Sequence, residues 1–143
     1  MDRSQCSAAS GVSRGAYVLA EFGAGRPELI LMASGSEVSL IVDAANQLAS
    51  DSLPVRVVSF PSWELFEQQT DEYRETVLPG NISKRLAVEA GVSLGWERWV
   101  RDQGKILAIN KFGASAPYKE IYREYGLTVE RIVEDARALL RAG

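Results

Sequence analysis

The side chains best placed for chemistry sit at the ends of two apolar runs. The turn Ala33-Ser-Gly-Ser-Glu37 follows Leu29-Ile-Leu-Met32 and opens a helical pattern. Doubly wound proteins bind phosphates at such a junction, through free backbone N–H groups. Glu89 closes a second run, Leu86-Ala-Val-Glu-Ala-Gly91, at the carboxyl end, where open sheets place ligands. Ser34, Gly35, Ser36 and Glu89 therefore make a candidate ligand crevice. Each also has a structural role open to it. Ser34-Gly-Ser-Glu37 matches the S-x-x-E capping box, in which Ser34 caps the helix and Glu37 reaches back. Glu89 can be a carboxylate held by loop N–H groups or an arginine. The turn lacks the G-x-G-x-x-G and Walker patterns, and Glu37 would repel an anion.

The rest of the sequence limits chemistry by omission. There is no histidine, which excludes a Ser-His-Asp triad, a Cys-His dyad and any His-ligated metal within the chain. Cys6 is the single cysteine, so an internal disulfide, a CxxC pair and a zinc cluster are also excluded. Ser115, in the small-residue run Asn110-Lys-Phe-Gly-Ala-Ser-Ala-Pro117, has no base beside it in sequence. No catalytic residue and no metal site are expected from the residues themselves. Trp63, Trp96 and Trp99, with Phe66 and Tyr73, read as core or subunit interface, because no basic track accompanies them for base stacking.

These residues need elements to position them. Five runs read as strands: Ala16–Phe22, Glu28–Ala33, Leu53–Phe60, Arg85–Glu89 and Lys105–Ile109. The middle ones are nearly continuous apolar stretches, as expected of strands covered on both faces. Val38, Ile41, Val42, Ala45 and Leu48 share one face of a crossover helix. A mixed helical stretch from Ser62 to Leu78 breaks near Thr70, where a new N-cap precedes two acids. Short helices are expected over Leu94–Val100 and Pro117–Tyr125. Behind the N-cap Thr128, the positions Val129, Ile132, Val133, Ala136, Leu139 and Leu140 form the apolar stripe of a closing helix. Its pairs Arg131–Asp135 and Glu134–Arg137 read as a solvated face. Strands alternating with helices predict a three-layer α/β/α sandwich around a mostly parallel sheet.

With 143 residues the chain amounts to one domain, and its 46% apolar and 24% charged content is that of a globule. Residues 1–14, small and polar, read as a lead-in, and 15–143 as the domain. A net charge of −3 with no basic stripe argues against nucleic acid. No apolar run approaches the ~20 residues that span a bilayer, and Met1-Asp2-Arg3-Ser4 lacks a signal-peptide core. A cytoplasmic location is the expectation.

Several long blocks resemble the C-terminal domain of transketolases. They are Gly15-Ala-Tyr-Val-Leu19, Ala33-Ser-Gly-Ser-Glu-Val38, Val55-Arg-Val-Val-Ser-Phe-Pro-Ser-Trp-Glu-Leu-Phe66, Tyr73-Arg-Glu-Thr-Val-Leu-Pro79, Ala87-Val-Glu-Ala-Gly91 and Phe112-Gly-Ala-Ser-Ala-Pro117. The resemblance implies a five-stranded sheet with one antiparallel strand, assigned to Ala16–Phe22. It implies a share in an enzyme that uses thiamine diphosphate and a divalent metal, Mg²⁺ or Ca²⁺, to move a two-carbon ketol unit from a ketose phosphate to an aldose phosphate. The implied partners are the remaining transketolase domains, a second copy in a homodimer, and sugar phosphates. The family's metal motif, activating glutamate and catalytic histidines belong to its other two domains, so none carries over. Asp2-Arg-Ser-Gln5 resembles the family's phosphate-gripping segment, which makes Arg3 the matching residue. The family's Asp-Arg before Phe112 is Asn110-Lys111 here. On this reading the chain is non-catalytic alone and supports assembly. The alternatives are a small-ligand or regulatory module at the crevice, or the related domain of another thiamine-dependent enzyme such as a 2-oxoacid dehydrogenase subunit, which the Phe60–Phe66 block disfavours.

Overall fold

Leu29–Ala33 is apolar at every position, a pattern that suits only a strand covered on both faces. In the computed structural model, which describes residues 14–35, 37–89, 95–101, 103–108 and 128–142, it is the central strand of a five-stranded sheet. The strands are β1 (Tyr17–Phe22), β2 (Leu29–Ala33), β3 (Val55–Ser59), β4 (Arg85–Glu89) and β5 (Lys105–Ala108), in the order β1-β3-β2-β4-β5. β1 runs antiparallel to β3, and the other neighbours are parallel. The first strand is thus the antiparallel one, as the resemblance implied.

Side chains on successive strand residues point to opposite faces, and the two faces carry separate cores. Leu29, Leu31, Val55, Val57, Leu86 and Val88 meet the helices α1 (Glu37–Ser50) and α5 (Val129–Ala142), through Ile41, Ala45, Leu48, Ile132 and Ala136. Ile30, Met32, Val58 and Ala87 meet the other layer, built from α2 (Trp63–Glu67), α3 (Asp71–Val77) and α4 (Glu97–Val100). The chain is a three-layer α/β/α sandwich.

The second core is aromatic. Phe60 packs edge-on against Phe66 and Trp96 at 5.1 and 5.5 Å, and Trp63 packs edge-on against Trp96 at 5.2 Å. Trp96 and Trp99 are buried, so these residues are core, with centroid distances in the favourable range for edge-to-face pairs. The chain enters this core through Gly15, whose φ of +87° and close approach admit no side chain. A Cβ there would stand 2.2 Å from the Phe66 nitrogen. The Tyr73 hydroxyl then ties the entering segment down by donating to the Ala16 carbonyl at 2.8 Å.

The helix starts follow their caps. The Ser62 hydroxyl accepts from Leu65 N–H at 3.2 Å, and Thr70 from Tyr73 N–H at 3.1 Å, which produces the break expected near Thr70. Thr128 likewise accepts from Arg131 N–H at 3.2 Å. Two expectations change. α1 begins at Glu37, and Gly35 has a φ of +61°, outside the helical region, so the helix starts later than a cap at Ser34 would place it. Asp135 is buried rather than on a solvated face: its Oδ1 takes Arg131 Nε and, from β5, Lys105 Nζ, both at 3.2 Å. Arg137 pairs with Asp51 beside α1. The expected helix over Pro117–Tyr125 lies outside the described residues.

Candidate functional site

The order of the strands decides where an open pocket can form. From β2 the chain passes through α1 on one face of the sheet to reach β3. From β3 it passes through α2 and α3 on the other face to reach β4. β3 and β4 lie on either side of β2, so the connections diverge at the carboxyl ends of β2 and β4. That divergence is the topological switch point at which open α/β sheets place ligands.

Three of the four crevice residues predicted from sequence are brought there. Ala33 and Val88 are register partners across β2 and β4, and Ser34 and Glu89 are the next residues along each strand. Ser34 is half-buried and Gly35 exposed, its carbonyl accepting from Val38 N–H at 3.3 Å. Ser36 and Arg3 lie outside the described residues. Glu89 is half-buried, and its carboxyl has no hydrogen bond to another described residue. Its carboxyl is pushed above the usual glutamate value, first by burial and second by the negative charge of Glu37. Glu37, buried at the start of α1, is thus the fourth described member of the crevice. A turn with a left-handed glycine, a hydroxyl and two carboxylates is suited to a hydroxylated or cationic ligand and unfavourable to a phosphate.

A second polar cluster lies at the other end of β4, and sequence reasoning missed it. Arg85 opens the strand with 3% exposure, which for an arginine demands full pairing. Its Nε donates to the Ile82 carbonyl at 3.0 Å, Nη1 to Trp99 at 2.9 Å, and Nη2 to Leu78 and Pro79 at 3.3 and 2.9 Å. One guanidinium thereby satisfies carbonyls left over at the ends of α3 and α4. The only sequence signal was a charge opening an otherwise apolar strand.

Among the described residues no group of three or more His, Cys, Asp or Glu side chains is placed to hold a metal ion. Nor is any helix among them long and apolar enough to cross a membrane.

Residues 15–128 match the family model described as the transketolase-like TK C-terminal domain. The chain is 52% identical over 130 residues to a transketolase of Geobacillus stearothermophilus, covering 91% of this chain and 20% of that protein. It is 49% identical over 129 residues to the chloroplastic transketolase of Zea mays, covering 90% and 19%. Among solved structures, the transketolase from Leishmania mexicana superposes with a TM-score of 0.84 at 44% identity, over 95% of this chain and 19% of that one. The chain spans about a fifth of the length of these relatives.

Proposed function

The chain belongs to the transketolase family as its C-terminal domain, and from that premise we propose that it acts as the non-catalytic third domain of a ketol transferase. The single observation that carries this is the match over residues 15–128 to that domain, in a chain spanning a fifth of its transketolase relatives. We place the domain at 15–143 and the lead-in at 1–14. The reaction is transfer of a two-carbon ketol unit between sugar phosphates, with thiamine diphosphate and a divalent metal held by the other two domains of a homodimer. The donor set of this chain, without histidine and without a converging group of acids among its described residues, does not fit the metal. Its part is to present two covered sheet faces and a rigid frame for assembly. Ketol transfer is expected only when the chain is combined with the two preceding domains, and the dimer is expected to weaken when it is left out. Saturable thiamine diphosphate binding by the 143-residue chain alone, or an unaltered dimer without it, would overturn the reading.

The switch-point crevice favours a second reading, a small-ligand module working through Ser34, Gly35, Ser36 and Glu89. Thermal-shift measurements with unphosphorylated sugars, nucleosides and small cations test it, since a ligand at 100 times its Kd stabilises by about 2.7 kcal/mol. No shift with any of them removes it.

A further inference from the structure

At the amino end of β4, opposite the crevice, a cleft of about 430 Å³ is lined by Arg74, Arg85, Arg98 and Arg101 together with Asp71 and Glu75. Four guanidiniums line it against two carboxylates, and Glu67, outside the lining, pairs with one of the four, so one positive charge is left over in a chain whose net charge is −3. Both carboxylates are engaged: Asp71 pairs with Arg74, and Glu75 accepts from Gly80 N–H at 2.8 Å. Arg98 pairs with Glu67 and lies over the Trp99 ring at 5.2 Å. Arg85 commits its three nitrogens to carbonyls and contributes charge alone.

Arg101 differs from these. Its guanidinium has no hydrogen-bond or ion-pair partner among the described residues, and its backbone stands at φ +64°, ψ −165°. That region is almost reserved for glycine and costs about 1–3 kcal/mol, and such strain collects at ligand clamps and active sites. Burial, and then the like charge of Arg101, lower the Arg85 pKa from its ordinary value, with Glu75 opposing. With Arg74 and Arg98 each paired to a carboxylate, Arg101 keeps a charge that no carboxylate among the described residues pairs with. Two further donors on lining residues, Arg74 Nε and Trp99 Nε1, are buried without an acceptor among the described residues, although native structures rarely leave such groups unmet.

We infer that this cleft binds a phosphate monoester or inorganic phosphate, gripped by Arg101 beside the Arg98–Glu67 pair. Guanidiniums match phosphate oxygens in a bidentate manner. The unpaired charge of Arg101 suits a phosphate anion, and the volume lies in the usual range for small-molecule sites, about 300–1,000 Å³. The site is separate from the switch-point crevice, whose carboxylates disfavour the same ligand.

The experiment titrates inorganic phosphate, and in a second arm glucose 6-phosphate, into the 143-residue chain while the Trp99 indole N–H resonance is followed. Chloride holds the ionic strength constant, since exposed charges respond to salt alone. A saturable shift is expected, with affinity about tenfold weaker in Arg101→Gln. Arg101→Gly should lose affinity equally while its thermal midpoint rises, because glycine accepts that backbone without strain. Tighter binding of the sugar phosphate would identify an organic phosphate as the ligand, and equal binding the bare anion. The inference is overturned if no saturable shift appears, if chloride reproduces it, or if both Arg101 variants bind as the native chain does.

Discussion

Glu89 holds a carboxyl in a place where its charge is costly. Because its pKa is raised in the folded chain above the ordinary 4.5, the folded state binds that proton more tightly than the unfolded state does. The stabilising contribution of this group is full below 4.5 and lost as pH rises through the folded value. Glu89→Gln is therefore expected to raise the thermal midpoint at neutral pH and to leave it unchanged well below pH 4.5. Calorimetry across that range checks it, and an equal change at both ends would remove the desolvated carboxylate from the account. An acid closing an apolar run was legible in sequence. Its coupling to Glu37 was not, because the two belong to different elements and meet only where β4 comes to lie beside β2. Arg85 was illegible for a similar reason: its four acceptors are carbonyls at helix and loop ends, and backbone carbonyls carry no mark in a sequence.

At the scale of elements, local chemistry carried far. Ser62, Thr70 and Thr128 each cap the helix that follows, as their side-chain oxygens and positions allow. The stripe behind Thr128 became α5, with Ile132 and Ala136 fully buried against α1 and the sheet. Ile132→Ala should cost about 2–4 kcal/mol, the range for truncating a buried branched side chain, read as a lower denaturant midpoint with an unchanged slope. A cost under about 0.5 kcal/mol would mean that α5 packs less firmly than its burial indicates. The failures at this scale were contextual. Ser34-Gly-Ser-Glu37 satisfies the capping pattern, yet the left-handed turn at Gly35 moves the helix start to Glu37. Asp135 has an i,i+4 partner in Arg131, but the approach of Lys105 on β5 is what takes it out of solvent. The carboxyl end of α3 is held from two strands: Arg85 donates to Leu78 and Pro79, while Arg56 of β3 donates to the Thr76 and Val77 carbonyls at 2.9 and 3.2 Å.

Over the whole molecule, β2 is paired on both sides and buried on both faces, whereas β1 and β5 each have one neighbour in the described sheet. Native-state hydrogen exchange should find the slowest amides in β2, with β1 and β5 opening at lower free energy. Uniform protection across the sheet would contradict this order. The strands, the alternation with helices, the two-sided burial and the family were legible residue by residue, because apolar periodicity, caps and long residue blocks are written in neighbouring positions. That β2 lies between β3 and β4 follows from the packed sheet and not from any local pattern. That order opens the crevice beside Glu37 and Glu89 and puts the cleft of Arg98 and Arg101 at the far end of β4. Both sites join charges from distant segments, and their electrostatics exist only once folding has brought those charges together and removed the water between them.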